Sequence, residues 1–120
     1  MKKKTKIILL IATALSATAS LVSTIVRRSG DSRHMINRIE LQAIANILEH
    51  YKRDCGMYPV TEAGLQALVR RPDNLTCPKY PINGYLHKAP NDAYGNPIGY
   101  QSDGMRFELR ASNGQSFDGR

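Results

Sequence analysis

The sequence predicts an α+β protein in which one long helix and one short helix accompany a small antiparallel sheet. Apolar residues recur at three- and four-residue steps over residues 36–51, and they alternate with polar residues over 105–111. A loop rich in proline and asparagine separates these two patterns at residues 72–84. With 120 residues, 42% of them hydrophobic, the chain has room for one small domain and one targeting or anchoring segment. The length excludes a multidomain enzyme, and the apolar fraction excludes a disordered chain.

The long helix is predicted to end near Asp54, because Gly56 and Pro59 follow and cannot continue it. We expect its apolar stripe to be buried under the sheet. The predicted stripe consists of Ile36, Ile39, Ala43, Ile44, Ile47, Leu48 and Tyr51. The predicted polar face consists of Asn37, Arg38, Gln42, Asn46, Glu49 and Lys52.

The short second helix is predicted over residues 63–71, with Thr61 as its N-cap and Pro72 as its end. The predicted strands are Gly84–Leu86, Ile98–Gln101 and Met105–Ala111. The tripeptide Ser102-Asp103-Gly104 is typical of a hairpin turn and joins the last two strands.

Residues 1–30 are predicted to form a separate N-terminal segment, followed by one domain over residues 31–120. The uncharged run Ile7–Val26, as a helix rising about 1.5 Å per residue, just spans a hydrocarbon core of roughly 30 Å. The same segment also fits a secretory signal peptide with basic residues at 2–6 and cleavage after Ala19. Both interpretations place the domain outside the cytoplasm.

The net charge of +7 is concentrated at the N-terminus. Residues 1–53 hold ten Lys and Arg against three acidic residues, whereas residues 54–120 hold seven of each. Basic residues therefore flank the apolar run, which is typical of a membrane-flanking segment. A nucleic-acid partner is not predicted, because the folded part lacks an excess of positive charge.

Cys55 and Cys77 are predicted to form a disulfide, since export leads to an oxidising compartment. The alternative is two unrelated buried thiols. A metal site at these cysteines is not supported, because two thiols without a nearby pair of histidines do not complete a tetrahedral set.

Two blocks of sequence carry a resemblance to a known family. The first contains Tyr58-Pro59, Thr61-Glu62 and Gly64-Leu65-Gln66-Ala67-Leu68, and the second contains Gly84-Tyr85-Leu86 and Pro90–Pro97. In this order and spacing the blocks resemble the major pseudopilin of bacterial type II secretion systems, which has a type IV pilin-like fold. The resemblance covers residues 36 to about 114.

The resemblance implies a structural subunit of a pseudopilus that assembles in the inner membrane and periplasm and drives protein export. It implies self-association, contacts with other pseudopilins and with the inner-membrane secretion platform, membrane attachment through the N-terminal helix, and no catalysis. The alternative is a soluble periplasmic or secreted adaptor with a pilin fold, released by signal peptidase. Residues 1–26 contain no Gly, Phe or Glu, so the family's prepilin-peptidase site and registering glutamate are absent from them. Ala93-Tyr94 also replaces the family's Pro-Trp pair.

The resemblance further implies a calcium loop after the last strand. The matching candidates are the main-chain carbonyl of Arg110, the side chain of Asn113, which stands where the family has an aspartate, and the carboxylate of Asp118. Calcium takes six to eight oxygens and gains affinity from ligand charge, so this set predicts a weak site.

Two other functional classes find little support in the sequence. The histidines at 34, 50 and 87 are scattered and match no nucleophile or metal-ligand spacing, and no glycine-rich phosphate loop is present, so catalysis is not predicted. A pilin-like protein of DNA uptake would need an exposed basic strip, which the balanced charge beyond residue 53 does not provide.

Overall fold

The computed structural model describes residues 31–120, of which Met35–Arg120 forms one compact unit. Helix α1 occupies residues 31–55 of the described range, and a 3-10 helix follows at Leu65–Leu68. The strands are β1 (Gly99–Ser102), β2 (Phe107–Arg110) and β3 (Ser116–Gly119). The predicted α+β class is confirmed. The predicted N-terminal segment, with its choice between membrane anchor and signal peptide, lies outside the described residues.

The strands form an antiparallel sheet in the order β1-β2-β3. Ser102 pairs with Phe107, so residues 103–106 close the first hairpin at the predicted turn. Met105, predicted to begin the second of these strands, lies in the turn and is 66% exposed. The backbone N–H groups of Met105 and Arg106 donate to Oδ1 of Asp103, each at 2.9 Å. Because these donors are used within the turn, β2 begins at Phe107.

Strand β3 is absent from the sequence-based prediction. Its four residues contain one large apolar side chain, Phe117, and end in glycine, so the sequence carries a weak strand signal. Pairing with β2 creates the strand, with Gly119 opposite Phe107. A Cβ on Gly119 would lie 2.0 Å from the Phe107 ring, so only glycine leaves room for that ring.

The predicted strand Gly84–Leu86 is wrong. The backbone N–H groups of Tyr85 and Leu86 donate to the carbonyl oxygen of Leu68, at 2.8 and 2.9 Å, and so satisfy the end of the 3-10 helix instead of a neighbouring strand. The backbone approaches so closely here that a Cβ on Gly84 would lie 2.3 Å from the carbonyl oxygen of Val69.

The second helix is shorter than predicted, and it is a 3-10 helix instead of an α-helix. Gly64, with a φ of 61°, occupies the N-cap position, so the helix begins two residues later than predicted. Thr61, the predicted cap, pairs with β1: its N–H donates to the Ser102 carbonyl at 3.1 Å, and its Oγ1 accepts from the Ser102 N–H at 2.8 Å.

The core lies between α1, the 3-10 helix and the sheet. From α1 it contains Leu41, Ile44, Ala45, Leu48 and Tyr51. From the rest of the described chain it contains Tyr58, Leu65, Ala67, Leu68, Ile98, Phe107, Leu109 and Ala111. The alternation predicted for the strand Met105–Ala111 is therefore correct from Phe107 to Ala111.

The buried face of α1 is rotated relative to the predicted stripe. Ile44, Leu48 and Tyr51 are buried as predicted, but Ile36 and Ile39 are 46% and 62% exposed, and Ala43 is also exposed. Ile47 is half-buried. Leu41 and Ala45 are buried in their place. The rotation also buries Asn37, which the sequence pattern assigned to the polar face and which is 1% exposed. Its Oδ1 accepts the N–H of Ala93 at 2.6 Å.

Candidate assembly surface

One face of α1 is apolar and uncovered in the part of the chain that the structure describes. Met35, Ile36 and Ile39 are 66%, 46% and 62% exposed, and Ala43 continues the same face. At about 100° per residue, Ile39 points about 160° away from Leu41, so this apolar face lies opposite the core. We call Met35, Ile36, Ile39 and Ala43 the outer helix face.

The outer helix face has a polar border on one side. Arg38, Gln42 and Asn46 line a shallow groove together with Ile39 and Ala43. Gln42 donates to Asn46 across one helical turn at 3.3 Å. Apolar centres bordered by an arginine and amides are typical of interaction surfaces.

A second feature, the Asp92 junction, ties three separate segments together. Oδ1 of Asp92 accepts the N–H groups of Tyr94 and Asn96, at 2.9 and 3.0 Å, and Oδ2 accepts the N–H of Ser112 at 2.8 Å. The side chain is 6% exposed. Hydrogen bonds from Ser112 dominate in lowering the pKa of Asp92 to about 2, with further backbone donors adding to the effect, because each stabilises the charged carboxylate.

Neighbouring residues connect the Asp92 junction to α1 and to the loop after β2. Asn96 Nδ2 donates to Ser112 Oγ at 3.1 Å, while the N–H of Ala93 reaches Asn37 on the helix. Residues 92–97 therefore link α1 to the β2–β3 hairpin. Sequence reasoning did not find this link, because nothing in the local pattern indicates a partner as remote as Ser112.

The three calcium candidates lie along the β2–β3 hairpin, at the end of β2, in the turn and in β3. The carbonyl oxygen of Arg110 is on the β1 side, 3.4 Å from the position that a Cβ on Gly99 would take. Asn113 lies in the turn, and its Oδ1 accepts the N–H of Gln115 at 3.1 Å. Asp118 stands opposite Glu108 in the strand ladder. Among the described residues, no group of three or more His, Cys, Asp or Glu is arranged to hold a metal ion.

The predicted cysteine pair is joined by a disulfide, with a Cα–Cα distance of 5.0 Å. Cys55 is the last residue of α1, and Cys77 is buried in the loop that follows the 3-10 helix. The bond therefore fastens that loop to the end of the helix.

A cluster of tyrosines reinforces the same loop, and sequence reasoning missed it. Tyr51, Tyr80 and Tyr85 pack ring against ring with centroid distances of 5.3 to 6.2 Å. The hydroxyl of Tyr80 donates to the Ala67 carbonyl at 2.8 Å, and that of Tyr85 donates to Asp54 Oδ2 at 2.7 Å. Burial first, and then the bond to Asp54, raise the pKa of Tyr85. The repeated tyrosines around the cysteines were the available signal.

Within residues 31–120, we find no helix whose length and apolarity would suffice to cross a membrane.

Comparison with known proteins gives a consistent result. The family model described as type II secretion system (T2SS), protein G, matches residues 24–116. A Pseudomonas aeruginosa protein named type II secretion system core protein G is 36% identical over 94 residues, which is 76% of this chain and 66% of that protein. The Vibrio cholerae protein of the same name is 40% identical over 65 residues, 54% of this chain and 44% of that protein. The chain thus spans about half to two thirds of the length of these relatives.

The fold also matches a solved structure. The crystal structure of the major pseudopilin from the type 2 secretion system of enterohaemorrhagic Escherichia coli superimposes with a TM-score of 0.63 at 24% identity. The match covers 76% of this chain and 89% of that one. At this identity the likeness shows a shared fold.

Proposed function

Because the chain belongs to the type II secretion system protein G family, we propose that it is a structural subunit of a type II secretion pseudopilus. In this role it assembles in the inner membrane and periplasm, where the filament drives protein export. Its partners are copies of itself, other pseudopilins and the inner-membrane secretion platform. Members of such a family act through assembly, so no catalytic step is assigned to it.

The outer helix face is the observation that carries this proposal. A domain that buries Leu48 and Leu109 completely leaves Met35, Ile36 and Ile39 in contact with water. Burying one such side chain in a partner surface contributes about 1.5 to 3 kcal/mol. Packing of this face against a neighbouring subunit therefore provides a driving force for assembly that the isolated domain does not use.

Crosslinking in intact cells with a functional secretion system tests the proposal. We expect adducts between this chain and related pseudopilins in the membrane fraction. Ile39→Glu should remove most of them, because a carboxylate in an apolar contact is costly to desolvate. Gln66→Glu is the matched control: it adds the same charge at an exposed position on the 3-10 helix and should leave the adducts intact.

The alternative, a soluble periplasmic or secreted adaptor, makes the opposite prediction. Recovery of the chain only as a soluble monomer, without adducts, would contradict the pseudopilus role. Equal adduct yields from Ile39→Glu and the unaltered protein would show that the outer helix face is not the contact surface. The subunit role would then stand, with a different surface making the contact.

A further inference from the structure

The turn between β2 and β3 is closed by backbone and side-chain hydrogen bonds among its own residues. The N–H of Gly114 donates to the Ala111 carbonyl at 3.0 Å, and the N–H of Ala111 donates to the Gln115 carbonyl at 2.8 Å. The Asn113 side chain uses both ends, since its Oδ1 accepts the Gln115 N–H at 3.1 Å and its Nδ2 donates to Gln115 Oε1 at 2.7 Å. Two side-chain oxygens of this turn therefore already accept hydrogen bonds.

The Asp92 junction holds the same turn from outside. The carboxylate of Asp92, 6% exposed, accepts the N–H of Ser112 at 2.8 Å, so a negative charge meets a backbone donor of the turn. Asn96 adds a bond to the Ser112 hydroxyl at 3.1 Å. The anchor comes from a segment that is 20 residues away in sequence.

This arrangement does not fit calcium. A calcium ion needs six to eight oxygens around one centre. Here the Asn113 amide oxygen is engaged by Gln115, the Arg110 carbonyl lies beside Gly99, and Asp118 stands opposite Glu108 on the strand ladder. Of the donors implied by the family resemblance, the Asn113 oxygen is thus engaged within the turn, and Arg110 and Asp118 belong to the strands on either side of it.

We propose that the β2–β3 hairpin of this chain is held without a calcium ion, with the Asn113–Gln115 pair closing its turn and the Asp92 junction anchoring it. Asn113, which stands where the family has an aspartate, uses its amide oxygen on the Gln115 N–H, while the Asp92 carboxylate accepts the Ser112 N–H. The folded state of this subunit is therefore independent of the calcium concentration around it. This inference concerns the stability of the domain and holds whether or not the chain enters a pseudopilus.

Thermal unfolding of the full chain in 5 mM calcium chloride and in 5 mM EGTA, with magnesium held constant, is the first test. We expect the two melting temperatures to agree within about 1 °C. A bound calcium ion at a hundred times its Kd would raise the melting temperature by more than about 5 °C. A shift of that size in the unaltered protein would overturn the proposal.

Asp92→Asn and Asp103→Asn form a matched pair for the second test. Each aspartate accepts two backbone N–H groups in its own turn, but only Asp92 also reaches the last hairpin. We expect Asp92→Asn to lower the melting temperature by at least about 5 °C more than Asp103→Asn, equally in calcium and in EGTA. Equal losses from the two variants would contradict the role of Asp92. If Asp92→Asn does not accumulate, the comparison of calcium and EGTA on the unaltered protein decides.

Discussion

Ile39 and Ile44 are both isoleucines of α1, but Ile39 is 62% exposed and Ile44 is 4% exposed. We expect Ile44→Ala to lower the free energy of unfolding by about 2 to 5 kcal/mol, because it leaves a cavity in the core. Ile39→Ala should change it by less than about 0.5 kcal/mol, since no packing within the domain is lost. Urea denaturation of both variants measures the difference. Equal effects would place the core on the wrong face of α1.

Asp92 gives the domain a dependence on acid with a defined direction. Its pKa falls from the ordinary 3.8 to about 2 on folding, so the unfolded chain binds the proton more readily. Its contribution to stability is therefore complete above about pH 4 and is lost as the pH falls towards 2. Asp103, whose pKa the N–H groups of Arg106 and Met105 lower, acts in the same direction.

We expect Asp92→Asn to flatten the loss of stability between about pH 4 and pH 2, because the amide does not titrate. Melting temperatures at half-unit steps of pH, for the variant and the unaltered protein, test this. Asp103→Asn should retain the part of the acid dependence that belongs to Asp92. Parallel curves for Asp92→Asn and the unaltered protein would show that Asp92 is not responsible.

At the scale of elements, the loop after the 3-10 helix depends on the disulfide and the tyrosine cluster for its position. Cys55 and Cys77 are separated by 22 residues. Replacing both by serine should cost about 3 kcal/mol in the free energy of unfolding, because the unfolded chain regains the freedom of that loop. Urea denaturation with and without dithiothreitol measures the effect. The reductant should lower the midpoint of the unaltered protein and leave the serine variant unchanged; an unmoved midpoint in both would contradict the prediction.

For the whole molecule, the proposed pseudopilus role requires the predicted membrane anchor within residues 1–30 as well as the domain. The fractions prepared for crosslinking also yield the mature N-terminus by intact mass. An N-terminus that retains Ile7–Val26 in the membrane fraction supports the predicted anchor, whereas a soluble product beginning at Ser20 supports signal-peptide cleavage. Thermal unfolding in calcium and in EGTA tests the calcium site that the resemblance implies.

Several features of the fold could be predicted from local patterns, and each has a local cause. The end of α1 near Asp54 follows from Gly56 and Pro59, which cannot extend a helix. The first hairpin follows from the turn at Asp103 and the alternation of Phe107 and Leu109. The outer helix face was not predicted, because apolar residues occur on both sides of α1, and periodicity alone does not say which side meets the sheet.

The sequence by itself determined which residues are able to form a helix, a turn or a buried strand, since these preferences arise from neighbours within a few positions. Tertiary structure decided which of them do so. Asn37 is buried because Ala93 brings it a donor, Ser116–Gly119 is a strand because β2 lies beside it, and Gly84–Leu86 is not one because Leu68 takes its N–H groups. In each case a backbone group must be satisfied by a partner remote in sequence, and that partner exists only after the chain has folded.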